Sequence, residues 1–432
     1  MLAARRSKST RKLSLWKRIL FVSVALLSAI VTSELASLAA FWIRDGHPLP
    51  WAGVWKKQRA IINYQDHPES RGDSTLDVLH PYVGFVFDPT RSDSISEYGY
   101  DEPSPIQHRS DDAIIIGIFG GSVARHFASQ MSGTLTKFLQ RSPHFSGKRL
   151  VFVSLALGGY KQPQQLMALN YVLALGGEFD IVINIDGFNE VALHEPENAV
   201  KNVFPIYPRN WYPRMSAVPD PDLRRLVGEK SYLERRRASW AASFSSPVLR
   251  YSITCNLIWD VRDQSLLREC TKVSDAIRNY KPHGQEPYFV TGPRIKPQSD
   301  EDLYDQLVSI WKRCSLQMDR LCRANHVRYF HFLQPNQRVP DSKPMSKEER
   351  RIAFEPNHPY DRGTMKGYPL LISGGSSLAH HGVRFTDLTM IFHDEERAVY
   401  RDSCCHFNTL GLETIAAKVA EVILDDYRRD DS

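Results

Sequence analysis

The first 18 residues of this 432-residue chain, MLAARRSKSTRKLSLWKR, contain no acidic side chain, yet they hold seven of its 55 lysines and arginines. Without them, 48 basic side chains face 49 acidic ones. The basic character therefore belongs to the tail, and nucleic-acid binding by the main body has little support. Internal repeats and low-complexity tracts are absent too, which excludes solenoids and biased linkers. Cysteine is sparse, with six residues at 255, 270, 314, 322, 404 and 405. They group with no metal-ligand set elsewhere in the chain, so neither a zinc centre nor another cofactor is expected. Cys255 and Cys270 bracket a helical stretch and could pair.

One long apolar run, ILFVSVALLSAIVTSELASLAAFWI, occupies residues 19–43. Its length, at about 1.5 Å per residue, exceeds the roughly 30 Å hydrocarbon core of a bilayer. The basic flank predicts a cytoplasmic N-terminus with the rest of the chain exported. Trp16 and Trp42 are expected near the two interfaces. Glu34 breaks the pattern, because a carboxylate inside the bilayer costs about 2.5–3.5 kcal/mol on insertion scales. The alternative is a cleaved signal peptide with residues 19–32 as its apolar region and Ala36 and Ala39 near its cleavage site. No mature-looking start follows, and the run is read as an uncleaved signal-anchor.

Residues 44–110 form a polar, proline-punctuated lead-in with one strand-like run at 82–88. An α/β rhythm then begins. Strands are predicted at 113–119, 149–155, 180–185 and 327–333, and helices at 123–140, 162–175 and 301–325. Near-continuous apolar strands alternating with helices imply a parallel sheet covered on both faces. An excursion at about 192–300 starts with proline and aromatic residues at 204–214 and turns helical and charged at 223–244. It is too long for a plain loop and is expected to cap the active edge of the sheet. Its basic run at 234–237 reads as a solvated helix face. Ser346 with Glu349 resembles a capping box, and residues 412–427 read as an amphipathic helix docking on the sheet.

The first strand runs straight into Gly120-Gly121-Ser122. No lysine follows to make a Walker loop, and GIFGGS does not supply Gly-x-Gly-x-x-Gly, so neither phosphate cradle is present there. A serine at that edge of an α/β sheet lies where such folds bind ligands. A second GGS, at 374–376, lacks a preceding strand and reads as a loop, which makes Ser376 a poor competitor. Serine chemistry needs a base, an orienting carboxylate and oxyanion donors. Gly158-Gly159 follow the second strand and can offer an N–H. GFNE at 187–190 places the Asn189 amide at the same edge. Asp402 and His406 in RDSCCHFNTLG stand just before the last helix as orienter and base.

Serine, glycine, asparagine and histidine blocks in this order resemble the SGNH/GDSL hydrolase superfamily, over about residues 110–190 and 325–425. The resemblance implies a three-layer α/β/α fold with a central parallel sheet of flavodoxin-like type, here behind a transmembrane helix. It implies Ser122 as nucleophile, His406 as general base and Asp402 as its partner. The N–H groups of Ser122 and Gly159 and the Asn189 side chain would form the oxyanion hole. The implied activity is hydrolysis of an acyl or acetyl ester on a lipid or glycan, with no cofactor. O-acetyl transfer to an extracellular polysaccharide would use the same residues, and a non-catalytic binding protein is the third reading.

Two positions depart from the family pattern. Gly121 replaces the aspartate of Gly-Asp-Ser, and Asp402 stands one residue further from the histidine than in Asp-x-x-His. If the turn does not absorb the extra residue, a backbone carbonyl must orient His406. Taken singly, Ser122 suits a helix N-cap, Asn189 a turn and His406 a structural histidine. His126, His194, His380, His381 and His393 have no evident partner. Glu190, next to Asn189, is expected to support the site by hydrogen bonding without a catalytic role, and Gln334 to line the pocket.

Overall fold

β-Branched runs form the centre of the protein, in a computed structural model that describes residues 14–46, 51–66, 77–216, 220–280, 288–293 and 297–430. Most of the basic tail, residues 1–13, lies outside the described residues. Strands β1 (Asp77–His80) and β2 (Gly84–Phe87) make a small antiparallel pair inside the lead-in. The main sheet comprises β3 (Ala113–Gly120), β4 (Arg149–Ser154), β5 (Ile181–Asp186), β6 (Arg328–Leu333) and β7 (Arg384–Asp387). All its pairings are parallel, in the order β4-β3-β5-β6-β7. Every residue of β3 and β5 is buried. Each isoleucine there contributes about 1.5–3 kcal/mol over an exposed one. The chain leaves β3 towards one edge and returns through β5 towards the other. A crevice opens at such a reversal, outside the C-terminal ends of the strands.

The helices of the sheet-containing unit are α3 (Ser122–Leu139), α4 (Gln164–Ala174), α5 (Phe188–Ala192), α6 (Trp211–Ser216), α9 (Tyr288–Thr291), α10 (Asp300–Ala324), α11 (Lys347–Ala353), α12 (Asp361–His380) and α13 (Thr409–Asp430). Helix α3 buries Ala124, Phe127, Ala128, Met131 and Leu135, spaced by three and four, against β3 and β4. Helix α13 packs on α3, while α10 and α12 pack on each other and on β6 and β7.

A second compact unit holds α1 (Leu15–Asp45), α2 (Trp51–Asp66), most of α7 (Pro221–Phe244) and α8 (Ile253–Arg278). Phe41, Val54, Ala241 and Trp259 form one of its apolar clusters. Over Leu15–Arg44 the chain is a helix long and apolar enough to cross a membrane. Glu34 does not stand alone in it: its carboxylate accepts from Ser252 Oγ at 2.5 Å and Ile253 N at 2.6 Å, at the N-terminus of α8.

Several expectations need correction. The excursion at 192–300 is not one cap: residues 225–279 belong with α1 and α2, and its two ends with the sheet. Arg237 in the basic run is not solvated but paired with buried Asp263 at 2.9 Å. Cys255 and Cys270 share helix α8 and lie about 22 Å apart along it, too far for a bridge. The second GGS is not a loop. Gly374 and Gly375 lie inside α12, where a Cβ on Gly375 would stand 2.1 Å from the Phe385 ring. The capping box is half formed: Ser346 Oγ accepts from Glu349 N, but the Glu349 carboxylate turns to the N–H groups of Val399 and Tyr400.

Candidate active site

Ser122 is the first residue of α3, directly after β3, and its backbone N–H has no partner within the helix. Its Oγ lies 2.7 Å from His406 Nε2, and His406 Nδ1 lies 2.5 Å from Asp402 Oδ2. A carboxylate accepts at Nδ1, so the hydrogen-bond network assigns the proton there and leaves Nε2 to accept from the serine hydroxyl. The extra residue between Asp402 and His406 is absorbed by the turn. Asp402 Oδ1 accepts the N–H groups of Cys404, Cys405 and His406 at 3.0, 3.1 and 3.2 Å. Burial pushes the Asp402 carboxyl up, but the His406 hydrogen bond and charge, with these N–H groups, outweigh it and hold it at about 2.

The other departure, Gly121, has a steric cause. A Cβ there would stand 2.2 Å from Asn189 Nδ2 and 3.3 Å from the Tyr160 carbonyl oxygen. The asparagine amide occupies the space a side chain would fill. Asn189 Nδ2 donates one hydrogen to Tyr160 O at 2.7 Å, and among the described residues its second meets no other acceptor. Gly159 sits at φ +84° in the turn closed by Tyr160 N to Leu157 O. That conformation suits glycine. The stem of Arg209 covers the same residue: a Cβ on Gly159 would lie 2.3 Å from Arg209 Cδ. Among the described residues, the N–H groups of Ser122 and Gly159 donate to no other protein group.

Glu190 ties these loops together. Its carboxylate accepts from Gly187 N and Gln162 N at 2.9 Å each, and from Gln165 Nε2 at 3.2 Å. Burial and the charge of Asp186 push its pKa upward. Gln334 is buried, and its backbone carbonyl accepts from Tyr368 Oη at 3.3 Å. Two residues shortly after it hold the histidine-bearing turn. Gln337 Nε2 donates to Cys404 O at 3.1 Å and Arg338 Nη1 to Ser403 O at 2.9 Å, fixing the histidine-bearing turn from behind. A cavity of about 360 Å³ lies on that side, lined by Gln337, Arg338, Lys343 and Phe354 and by none of Ser122, Asp402 or His406.

His126 has partners after all. Its ring meets His406 edge-on at 5.1 Å, and Arg401 Nη2 lies 3.2 Å from it. Burial, with Arg401, His406 and Arg125 nearby, lowers it to about 4. The signal was its position four residues after Ser122, one turn along the same helix. Arg209 is held by Glu197 at 2.9 Å, and Glu197 also accepts from Tyr360 OH at 3.1 Å. Their separation in the chain hid that cluster.

A second serine–histidine–aspartate chain exists in the core. Ser315 Oγ lies 2.7 Å from His331 Nδ1, and His331 Nε2 2.8 Å from Asp186 Oδ1, with Trp311 Nε1 donating to the same oxygen. These groups are closed to solvent, whereas Ser122 and His406 are half-buried. Accessibility separates the two. Cys404, Cys405 and His406 also bring potential metal ligands within 4.8 Å of one another, but both ring nitrogens of His406 are engaged. No protein-family model matches the chain, and no curated protein matches it significantly.

Proposed function

We propose that this chain is a membrane-anchored serine esterase of the SGNH/GDSL type, hydrolysing an acyl or acetyl ester of a lipid or glycan. The hydrogen-bonded chain Ser122–His406–Asp402, at 2.7 and 2.5 Å, carries the reading. His406 Nε2 takes the hydroxyl proton as Ser122 Oγ adds to the ester carbonyl. The oxyanion is received by the N–H groups of Ser122 and Gly159 and by the second Asn189 hydrogen. His406 returns the proton to the departing alcohol. Water deprotonated by His406 then cleaves the acyl-serine and releases the acid. Asp402, held ionised by its turn, stabilises the imidazolium that forms twice in each cycle.

The sheet order β4-β3-β5-β6-β7 and the helices packed on its strands agree with a flavodoxin-like α/β/α arrangement. The lysines and arginines before the apolar helix favour a cytoplasmic N-terminus, with the sheet-containing unit exported. The test is turnover of short-chain chromogenic acyl esters by the full-length protein in detergent. Ser122→Ala and His406→Ala should each lower kcat by about 10⁴-fold or more. Unchanged turnover in both variants would remove the reading.

A further inference from the structure

Cys404 and Cys405 take no part in the proton relay, yet they lie in the loop that carries it. Their sulfurs are 3.5 Å apart. Cys404 is half-buried, and Cys405 is 2% exposed. A bond of about 2.0 Å requires the sulfurs to close by roughly 1.5 Å. Adjacent cysteines can do so only by twisting the single peptide between them. Here that peptide is doubly committed: its N–H donates to Asp402 Oδ1 at 3.1 Å and its carbonyl accepts from Gln337 at 3.1 Å. Bond formation between the sulfurs is thereby coupled to the carboxylate that orients His406.

We propose that Cys404 and Cys405 are a redox modification site, closing reversibly into a vicinal disulfide that withdraws the Cys405 N–H from Asp402 and slows the reaction at Ser122. The covalent step stands on the sulfur geometry alone; its effect on rate rests on the esterase reading. The oxidant is a small-molecule disulfide. The half-buried Cys404 thiolate attacks one of its sulfurs, forming a mixed disulfide and expelling one thiolate. The Cys405 thiol, held protonated by burial, then passes its proton to the leaving sulfur as its own sulfur attacks that of Cys404 and expels the second thiol. The protein dithiol loses two electrons and two protons, and the external disulfide becomes two thiols. An exported domain meets such disulfides in its own compartment.

The experiment equilibrates full-length protein in detergent with glutathione buffers of increasing oxidised fraction. Free thiols are then alkylated, and the peptide spanning 404–405 is analysed by mass spectrometry. The expected product lacks two hydrogens and carries neither glutathione nor alkyl groups. A stable glutathione adduct on Cys404, or two free thiols at every ratio, overturns the proposal. The labelling rate of Ser122 by a fluorophosphonate is followed in parallel. It should fall about tenfold on oxidation, the scale of one lost charge-assisted hydrogen bond, and recover with dithiothreitol. In Cys404→Ser the rate, whatever its starting value, should no longer respond to the buffer. Ring formation at an unchanged labelling rate overturns the coupling. Ring formation with no labelling in either state counts against the esterase reading and leaves the modification site standing.

Discussion

Gly121 stands where the SGNH resemblance expects an aspartate, and the Asn189 amide occupies the volume that aspartate would need. Gly121→Ala should therefore displace a proposed oxyanion donor and lower kcat on an acyl ester by about 10²-fold with little change in KM. Wild-type kinetics in that variant would mean the asparagine is not aimed at the reacting carbonyl. His126 makes a different prediction. Its folded-state pKa of about 4 lies below the unfolded value near 6.5, so the unfolded chain binds the extra proton between those values. Stability is lost as pH falls through that window. His126→Gln should flatten the decline of the thermal midpoint between pH 6.5 and 4, and part of the slope should remain because buried His194 is lowered similarly. An unaltered profile would contradict the assigned environment. Ser122 and Asn189 are legible in the sequence because each follows an apolar strand, and Asp402 and His406 because they stand just before the last helix. It hid Gln337, Arg338 and Arg209, whose roles depend on which carbonyl or carboxylate lies opposite.

Among the elements, the strands of the main sheet were readable where burial on both faces forced continuous apolar runs, as in β3 and β5. The edge strand β7 was not. Its sequence, RFTD, is short, polar and only half-buried, and its pairing with β6 supplies the order that composition does not. Helix α12 was obscured for the opposite reason. Its glycines and Pro369 look like a loop, but the Phe385 ring leaves no room for a Cβ at Gly375, and one at Gly374 would press on Val308 at 3.1 Å. Glu34, an anomaly in an apolar run, is explained by the first turn of α8, whose N–H groups and positive dipole end favour a carboxylate. Glu34→Ala should destabilise the helical unit by about 1 kcal/mol, read as a lower thermal midpoint in detergent. No loss of stability would mean that contact contributes nothing.

At the scale of the whole molecule, local periodicity could not show that α1 and α2 share a compact unit with residues 225–279, far along the chain. That association depends on contacts such as Phe41 and Val54 with Ala241 and Trp259. The orientation proposed across the membrane makes its own prediction: protease added outside intact cells should digest the sheet-containing unit and spare the basic tail. If the sheet-containing unit stays protected even after any outer envelope is permeabilised and the inner membrane left intact, the topology is reversed. The central claim, that Ser122 is activated by His406, is tested most directly by one measurement. Full-length protein is reacted with a fluorophosphonate and the modified peptide mapped by mass spectrometry. The account predicts an adduct on Ser122 that disappears in His406→Ala, while Ser315, in its closed core arrangement, stays unmodified. A folded protein that gives no adduct, or carries it on another serine, would contradict it.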